Sequence, residues 1–257
     1  MIANYHTHTH RCNHAIGREE EYVKAALEAG LQILGWADHT PYIFPGGYYS
    51  SFRMRPVQLE GYVRTIEGLR EQYGDRIEMP IGLETEYYPK HFGKLLEFLR
   101  DYPIDYMILG QHFIGNEYDA PYSGLVTGEK EVVKQYCRQS MEAMNTGLFT
   151  YFAHPDLIHY DGDWKFYMDT VRPMCAEAKS CGIPLEINLL GIREGRYYPN
   201  RFFWEMAAQE GCDVILGVDA HDPKSLNNPR AEAKGLDLAK EFGLKVLDTV
   251  DLRSIQR

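Results

Sequence analysis

The chain contains no apolar run of about 18 residues, the length that a membrane-spanning helix requires. A basic N-terminal region followed by an apolar segment is also missing, so no secretory signal is expected and the cytoplasm is the expected compartment. Cysteine is scarce. The five residues Cys12, Cys137, Cys175, Cys181 and Cys212 are odd in number, scattered, and form no CxxC pair. That excludes a disulfide framework and fits free thiols in a reducing compartment. Positive charge is in deficit, with 27 Lys and Arg against 37 Asp and Glu and a net charge of −10. Broad nucleic-acid binding needs a basic footprint, so extended nucleic acid is not an expected partner. The acidic balance says less about a small phosphate ester, because bound divalent metals invert the local field. Low-complexity tracts, internal repeats and long linkers are absent. A chain of 257 residues with 44% hydrophobic content therefore fits one domain spanning residues 1–257.

What the chain does have is an alternation of short apolar runs and amphipathic segments. Candidate strands are Ile2–His6, Gln32–Ala37, Ile77–Leu83, Tyr106–Gly110, Thr150–Ala153, Pro184–Asn188 and Asp213–Val218, with a short eighth at Leu244–Leu247. Helical patterns lie between them: Arg18–Ala29, Val57–Gln72, Lys90–Leu99, Glu129–Met144, Trp164–Ser180, Asn200–Gln209 and Pro229–Phe242. The first carries acidic residues in its first turn and stops at Gly30. Such alternation predicts parallel βαβ units closed into one α/β barrel. Two connections, Thr40–Pro56 and Phe113–Gly128, are long for the βα type. Both follow strands and belong on the C-terminal face, where barrels carry their substrate loops. The first, rich in aromatics and arginine, reads as a binding lid.

Histidine supplies the chemistry. His6, His8, His10 and His14 fall within nine residues directly after the first apolar run. Alternate strand residues share a face, so His6 and His8, with His10 as a further candidate, would point together, as metal-ligating imidazoles do. Cys12 lies inside the cluster, but His14 is the better-matched ligand. The same chemistry recurs at the strand ends. Asp38 and His39 end the second strand, Glu84 the third with Glu86 two residues on, His112 the fourth and His154 the fifth. The sixth carries Glu186 and Asn188, and the seventh leads into Asp219 and His221. A parallel barrel gathers these ends on one rim. So many imidazoles and carboxylates in one small volume require cations, and the number of ligands calls for two or three. Spacing alone leaves Glu84 and Glu86 as rivals, because both would face the same way.

The motifs His6-x-His8 with His14, Asp38-His39, Gly82-Leu83-Glu84, Gly110-Gln111-His112, Ala153-His154-Pro155 and Gly217-Val218-Asp219-Ala220-His221 resemble those of the PHP (polymerase and histidinol phosphatase) superfamily. The resemblance spans nearly the whole chain in order. Ser51-Phe52-Arg53-Met54, His154-Pro155-Asp156, Glu186-Ile187-Asn188, Gly191-Ile192-Arg193 and Tyr198-Pro199 make it greatest to the monofunctional histidinol-phosphatase branch. The resemblance implies a distorted (β/α)7 TIM-like barrel with the metal site at the C-terminal face of the strands. It implies a first metal on His6, His8, Glu84 and Asp219, and a second on Glu84, His112 and His154. A third would take His14, His39 and His221. The family context selects Glu84 over Glu86, and places Asp38 behind a ligating histidine rather than on a metal. His10, His91 and His159 read as surface or loop residues.

The implied reaction is hydrolysis of a small phosphate monoester, L-histidinol phosphate above all, in histidine biosynthesis. Two or three divalent ions would stabilise the transferring phosphoryl charge and lower the pKa of water; Zn, Mn and Fe all suit the ligand set. Glu84, Asp219 and His154 are the candidate catalytic residues, the last two as proton sources for the leaving alcohol. Arg193 is the candidate phosphate contact, because a guanidinium matches phosphate bidentately, with Arg53 and Arg55 behind it. Tyr42, Phe44 and Asp156 are candidates for the substrate imidazole. The rival readings are a superfamily phosphoesterase acting on another small phosphate ester or a nucleotide, a catalytically silent metal protein, and an amidohydrolase-like enzyme. The last usually carries a strand-end lysine, which no candidate strand here has.

Overall fold

The computed structural model describes residues 1–255, so the last two residues of the expected domain lie outside the described part. Among the described residues, every pairing between named strands is parallel. In chain order the elements are β1 (Ala3–Asn4), α1 (Glu19–Glu28), β2 (Ile33–Leu34), β3 (Trp36–His39), α2 (Leu59–Tyr73), β4 (Ile81–Thr85), α3 (Phe92–Leu99), β5 (Tyr106–Leu109), α4 (Lys130–Asn145), β6 (Phe149–Phe152), α5 (Trp164–Ser180), β7 (Leu185–Asn188), α6 (Leu189–Glu194), α7 (Arg201–Gln209), β8 (Asp213–Gly217), α8 (Pro229–Phe242) and β9 (Lys245–Val246). Strands β3 to β9 form one seven-stranded sheet in sequential order, and β1 pairs with β2 beside it. The α/β fold expected from the alternation, with a central parallel sheet, is therefore present, and the seven expected helices are found with ends shifted by two residues at most.

Several strand bounds differ from the sequence reading: the expected strand Ile77–Leu83 runs over Ile81–Thr85 instead, and the expected Ile2–His6 is confined to Ala3–Asn4. The expected strand Gln32–Ala37 is broken at Gly35, so that β2 pairs with β1 and β3 with β4. A Cβ at Gly35 would meet the backbone of Tyr5, so glycine is what lets the N-terminal segment approach this closely. The short α6 was also not anticipated. Its six residues follow β7 directly, too few for a periodic signal.

The N-terminal segment joins the two ends of the sheet. Gly35 and Ala37 donate to the carbonyls of Asn4 and Thr7 (2.7 and 2.8 Å). On the other side, His8 N–H donates to Ala220 O (2.9 Å) and Ala220 N–H to His6 O (3.0 Å). The edge of β8 is thus divided: β9 pairs with its start, at Asp213 and Val214, and residues 6–8 with the chain just beyond its end. The side chain of Asn4, fully buried, fastens the seam. Its Oδ1 accepts from Val218 N–H (2.9 Å), and its Nδ2 donates to Thr7 Oγ1 (2.8 Å) and His6 O (3.1 Å).

Period-two alternation then sorts the side chains. Trp36, Ile81, Leu83, Met107, Leu109, Ile187, Val214 and Leu216 face outward and form the main core with the helices. The opposite parity gives a second, smaller cluster inside the sheet: Ala3, Tyr5, Ala37, Tyr106, Ile108, Tyr151, Ala153 and Ile215. Tyr106 plugs this interior, its hydroxyl donating to the carbonyls of Tyr5 (2.7 Å) and Trp36 (3.0 Å). The apolar plug sits at the early, N-terminal part of the strands. Two residues further along the same inward rows lie His39, Glu84, Gly110 and Gly217, so the polar site rests on a dry floor. No helix among the described residues is long and apolar enough to cross a membrane.

Replacing Asn4 with Ala would leave the buried Val218 N–H without its acceptor. Urea denaturation is expected to show a loss of about 2 kcal/mol, the typical cost of an unsatisfied buried group. An unchanged midpoint would show that the seam does not depend on this side chain.

Candidate metal centre

Glu84 stands at the centre of the site. It lies on β4, the second strand of the seven-stranded sheet, is 1% exposed, and is ringed by imidazoles. His154 Nε2 is 2.8 Å from its Oε1, His39 Nδ1 3.0 Å from its Oε2, and His112 Nε2 3.4 Å from its Oε1. His6 Nε2 and His8 Nε2 approach to 3.6 Å each. Glycine makes the room: a Cβ at Gly110 on the neighbouring strand would collide with the Glu84 carboxylate. A Cβ at Gly217 would likewise strike the carboxylate of Glu186. The glycines of the Gly110-Gln-His112 and Gly217-Val-Asp219 motifs are therefore spatial requirements of the site.

Asp219 closes the centre on the other side. Its Oδ1 lies 3.3 Å from His8 Nε2, 3.2 Å from His221 Nδ1 and 3.6 Å from His6 Nε2. Asp219 and His154 both have left-handed backbone conformations, with φ of +51° and +33°. Such conformations are rare for residues with a Cβ, and they concentrate where function requires them. His154 follows the inward Ala153 and by simple alternation would point outward. The unusual backbone coincides with its ring reaching Glu84 instead.

The imidazoles divide into two electrostatic sets. His6, His8 and His112 have raised pKa values: burial opposes their charge, but adjacent carboxylates outweigh it, Glu186, Asp219 and Glu84 for His6 and Glu84 and Glu86 for His112. For His8, burial is outweighed by Asp219 and Asp38, which lift it to about 9. His14, His39 and His221 are lowered, chiefly by burial and then by neighbouring imidazoles; for His39 this holds despite Glu84, and for His14 the value falls to about 4. Glu84 and Asp219 are held well below the carboxylate range, because their imidazole neighbours outweigh burial.

A ring of supports surrounds these groups. His6 Nδ1 is 2.8 Å from Glu186 Oε2; Asn188 donates to Glu186 Oε1 (2.7 Å) and to Asp219 Oδ2 (3.1 Å). His112 Nδ1 is 2.8 Å from Glu86 Oε1, so Glu86 faces the back of a histidine while Glu84 faces the centre. Asp38 faces His8 Nδ1 at 3.6 Å, beyond hydrogen-bond length, and accepts from the Thr9 hydroxyl. The roles of Glu186, Asn188 and Glu86 were not read from the sequence. The signal was present, since Glu186 and Asn188 lie two residues apart on β7 and Glu86 lies two residues after Glu84, just beyond the end of β4.

All nine sequence-predicted ligands are brought together. His14, His39 and His221 place ligand atoms within reach of one ion, as do His6, His8 and Asp219, and His6, Glu84 and His154. Buried atoms at the centre have no hydrogen-bond partner: His6 Nε2, His8 Nε2, His39 Nδ1, Asp219 Oδ1 and His221 Nε2. Orphaned buried nitrogens and oxygens facing one another are costly in a native fold. Divalent cations satisfy them, and the imidazole–carboxylate donor set fits such ions. Cys12 lies within reach of His8 and His221, but burial and the Asp38 charge push its thiol well up, which leaves a neutral SH there. His10, His91 and His159 lie outside the centre: His10 lies 3.5 Å from Glu19, His91 meets Tyr118, and His159 stacks on Tyr197.

The centre opens into a cavity of about 480 Å³, walled by Phe52, Phe113, Tyr122, Leu157, Leu190 and Tyr198 and bearing Glu194 and Arg196. This corrects the sequence reading of the substrate contacts. Arg193 lines a separate concavity with Arg230 and Lys234; the left-handed Gly195 ends α6 and Arg196 reaches the cavity instead. Arg53 is buried with its guanidinium engaged by Glu86, Glu117, Ser50 and the Thr40 carbonyl, so it does not offer itself to a phosphate. Arg55 stacks on Tyr49. Tyr42 and Phe44 pack with Tyr88 away from the cavity, and Asp156 is taken by Asn200 N–H (2.6 Å) and Trp204 Nε1 (3.0 Å).

The split of pKa values has a measurable consequence. Below about pH 9 an ion at His6, His8 and Asp219 must displace a proton from His8, so affinity there rises with pH toward that value. His14, His39 and His221 all have lowered pKa values, so at pH 7 and above an ion binding there displaces little or no proton and affinity is nearly flat. Calorimetric titration in buffers of different ionisation heat should resolve one proton-releasing and one proton-silent class. Uniform, pH-independent binding would contradict this.

The family model described as PHP domain matches residues 4–189. A Deinococcus radiodurans protein named "Probable histidinol-phosphatase" is 29% identical over 242 residues, covering 90% of this chain and 91% of that protein. The histidinol-phosphatase of Bacillus subtilis is 25% identical over 248 residues, covering 84% and 92%. Among solved structures, histidinol phosphate phosphatase from Lactococcus lactis, complexed with Zn, L-histidinol and phosphate, superposes with a TM-score of 0.74 at 20% identity, over 99% of this chain and 97% of that one. A match across most of the chain, on motifs that converge around Glu84, makes this protein a member of the PHP domain family.

Proposed function

We propose that the protein is a metal-dependent phosphomonoesterase that hydrolyses L-histidinol phosphate to L-histidinol and phosphate. The observation that carries this reading is the cluster of nine candidate ligands, six of them with unpartnered buried atoms, opening into a cavity of about 480 Å³. The relatives named histidinol-phosphatase, similar along nearly their whole length, support the substrate assignment. The same reading places the enzyme in the cytoplasm, in histidine biosynthesis.

The proposed ligand sets are His6, His8, Glu84 and Asp219; Glu84, His112 and His154; and His14, His39 and His221, for two or three Zn, Mn or Fe ions. Such ions, when bound, lower the pKa of water and stabilise the charge that develops on the phosphoryl oxygens. The residues of the chain do the rest. Glu84 supplies both carboxylate oxygens to the middle of the cluster. His154, held in place by its unusual backbone, is positioned to pass a proton to the departing alkoxide, while Asp219 stays ionised beside it. Arg196, at the cavity, takes a phosphate oxygen, and Phe52, Phe113 and Tyr122 offer an aromatic wall to the imidazole. Glu194, paired with Arg196 at 2.7 Å, is placed to receive the substrate ammonium.

Steady-state kinetics on metal-loaded enzyme test this. L-Histidinol phosphate is expected to be hydrolysed with higher kcat/KM than p-nitrophenyl phosphate or mononucleotides. Glu84→Gln should lower kcat by about 10³-fold, the upper range for removing one preorganised charge-stabilising group. Arg196→Ala should mainly raise KM, whereas Arg193→Ala should change neither constant. Equal turnover of all the esters would defeat the substrate assignment.

A further inference from the structure

We propose that Arg53 is a positioning residue that locks the cavity-walling loop of residues 113–128 and the His112 ligand into one unit; the proposal rests on the metal-phosphatase reading above. The side chain is 1% exposed and comes from the first long loop. Its Nη1 donates to the Thr40 carbonyl (2.6 Å), where that loop leaves β3. Its Nε donates to Ser50 Oγ and Glu117 Oε1 (3.1 Å each). Its Nη2 donates to Glu117 Oε2 and to Glu86 Oε1 (3.0 Å). Three chain segments therefore meet on one guanidinium, which only a planar, five-donor group can serve at once.

The two carboxylates lead in different directions. Glu117 lies in the second long loop, and Tyr88 also donates to it (3.2 Å). Holding Glu117 holds the segment that carries Phe113 and Tyr122, two walls of the cavity, and Phe52, adjacent to Arg53, stacks on Phe113 at 5.7 Å. Glu86 leads to the metal centre, because its Oε1 is also the atom 2.8 Å from His112 Nδ1. Its other oxygen, Oε2, is buried without a partner. Glu86 is thus fixed through one oxygen, shared by His112 and Arg53. That contact keeps the proton on Nδ1 and turns Nε2 toward Glu84, the arrangement in which a carboxylate behind a histidine strengthens it as a ligand. A purely structural ion pair would not need its oxygen shared with a ligand histidine.

The two arms predict a separable pattern. Arg53→Lys, Glu117→Gln and Glu86→Gln would each be loaded with Co²⁺ and examined by visible absorption, Co²⁺ titration, hydrogen exchange and kinetics on L-histidinol phosphate. Glu117→Gln should speed exchange in residues 113–128 and raise KM, with the Co²⁺ affinity of the native protein. Glu86→Gln should weaken the most His112-dependent Co²⁺ by about 10-fold or more, the usual effect of losing a ligand's supporting carboxylate, with native loop exchange. Arg53→Lys should show both effects. Native Co²⁺ affinity and native loop exchange in Arg53→Lys would overturn the proposal, whatever its melting temperature. If Arg53→Lys does not fold, identical effects of the two glutamate variants would overturn it and separate effects would sustain it. If the native protein fails to hydrolyse L-histidinol phosphate while the Co²⁺ and exchange pattern holds, the substrate assignment fails and the positioning role stands.

Discussion

A single buried carboxylate sets the terms for the rest of this structure. Glu84 has five imidazoles within 3.6 Å and almost no solvent. Burying a charge is costly unless it is paired and hydrogen-bonded, and here the pairing imidazoles come from four different chain segments. The parallel sheet brings those segments together in register. His39 pairs with Glu84 across β3 and β4, and Gly110 directly follows Leu109, the partner of Thr85, leaving the space the carboxylate fills. The fold and the site are one constraint seen at two levels, because the strands that bury the apolar plug below also aim the ligands above.

Supports around the centre repeat one device. His6 is backed by Glu186, His112 by Glu86 and, more distantly, His8 by Asp38. Carboxylates behind histidines fix ring orientation and raise basicity. In the remaining trio, His14, His39 and His221, only His221 has a carboxylate of this kind, Asp219, beside it, and these rings are the ones held neutral. The site thus combines a strongly anionic half with a nearly neutral half, a difference that suits ions bound with unequal affinity.

Much of this was legible in the sequence. Strand-end histidines and carboxylates are short polar signals on strongly patterned β segments, and a parallel sheet converts their order directly into proximity. All nine expected ligands lie in one cluster for that reason. The parts that resisted reading depend on loops. Arg193 and Arg196 are three residues apart, and the one that reaches the cavity is decided by where α6 ends at Gly195, not by any periodicity. Arg53 sits in a loop dense with aromatics and looks free in the sequence; only the fold reveals that Glu86 and Glu117 occupy it. Tyr42 and Phe44 were plausible walls, but hydrophobic packing against Tyr88 draws them away, leaving Phe52 to face the centre. The break at Gly35 was likewise hidden, since close backbone approach leaves no trace in hydropathy.

Anomalous diffraction from metal-loaded crystals at the absorption edge of the bound metal tests the central claim most directly. The account predicts two or three peaks within coordination distance of the strand-end ligands, at least two of them sharing the Glu84 carboxylate. A single ion that leaves Glu84 unligated, or ions bound away from these strand ends, would contradict it.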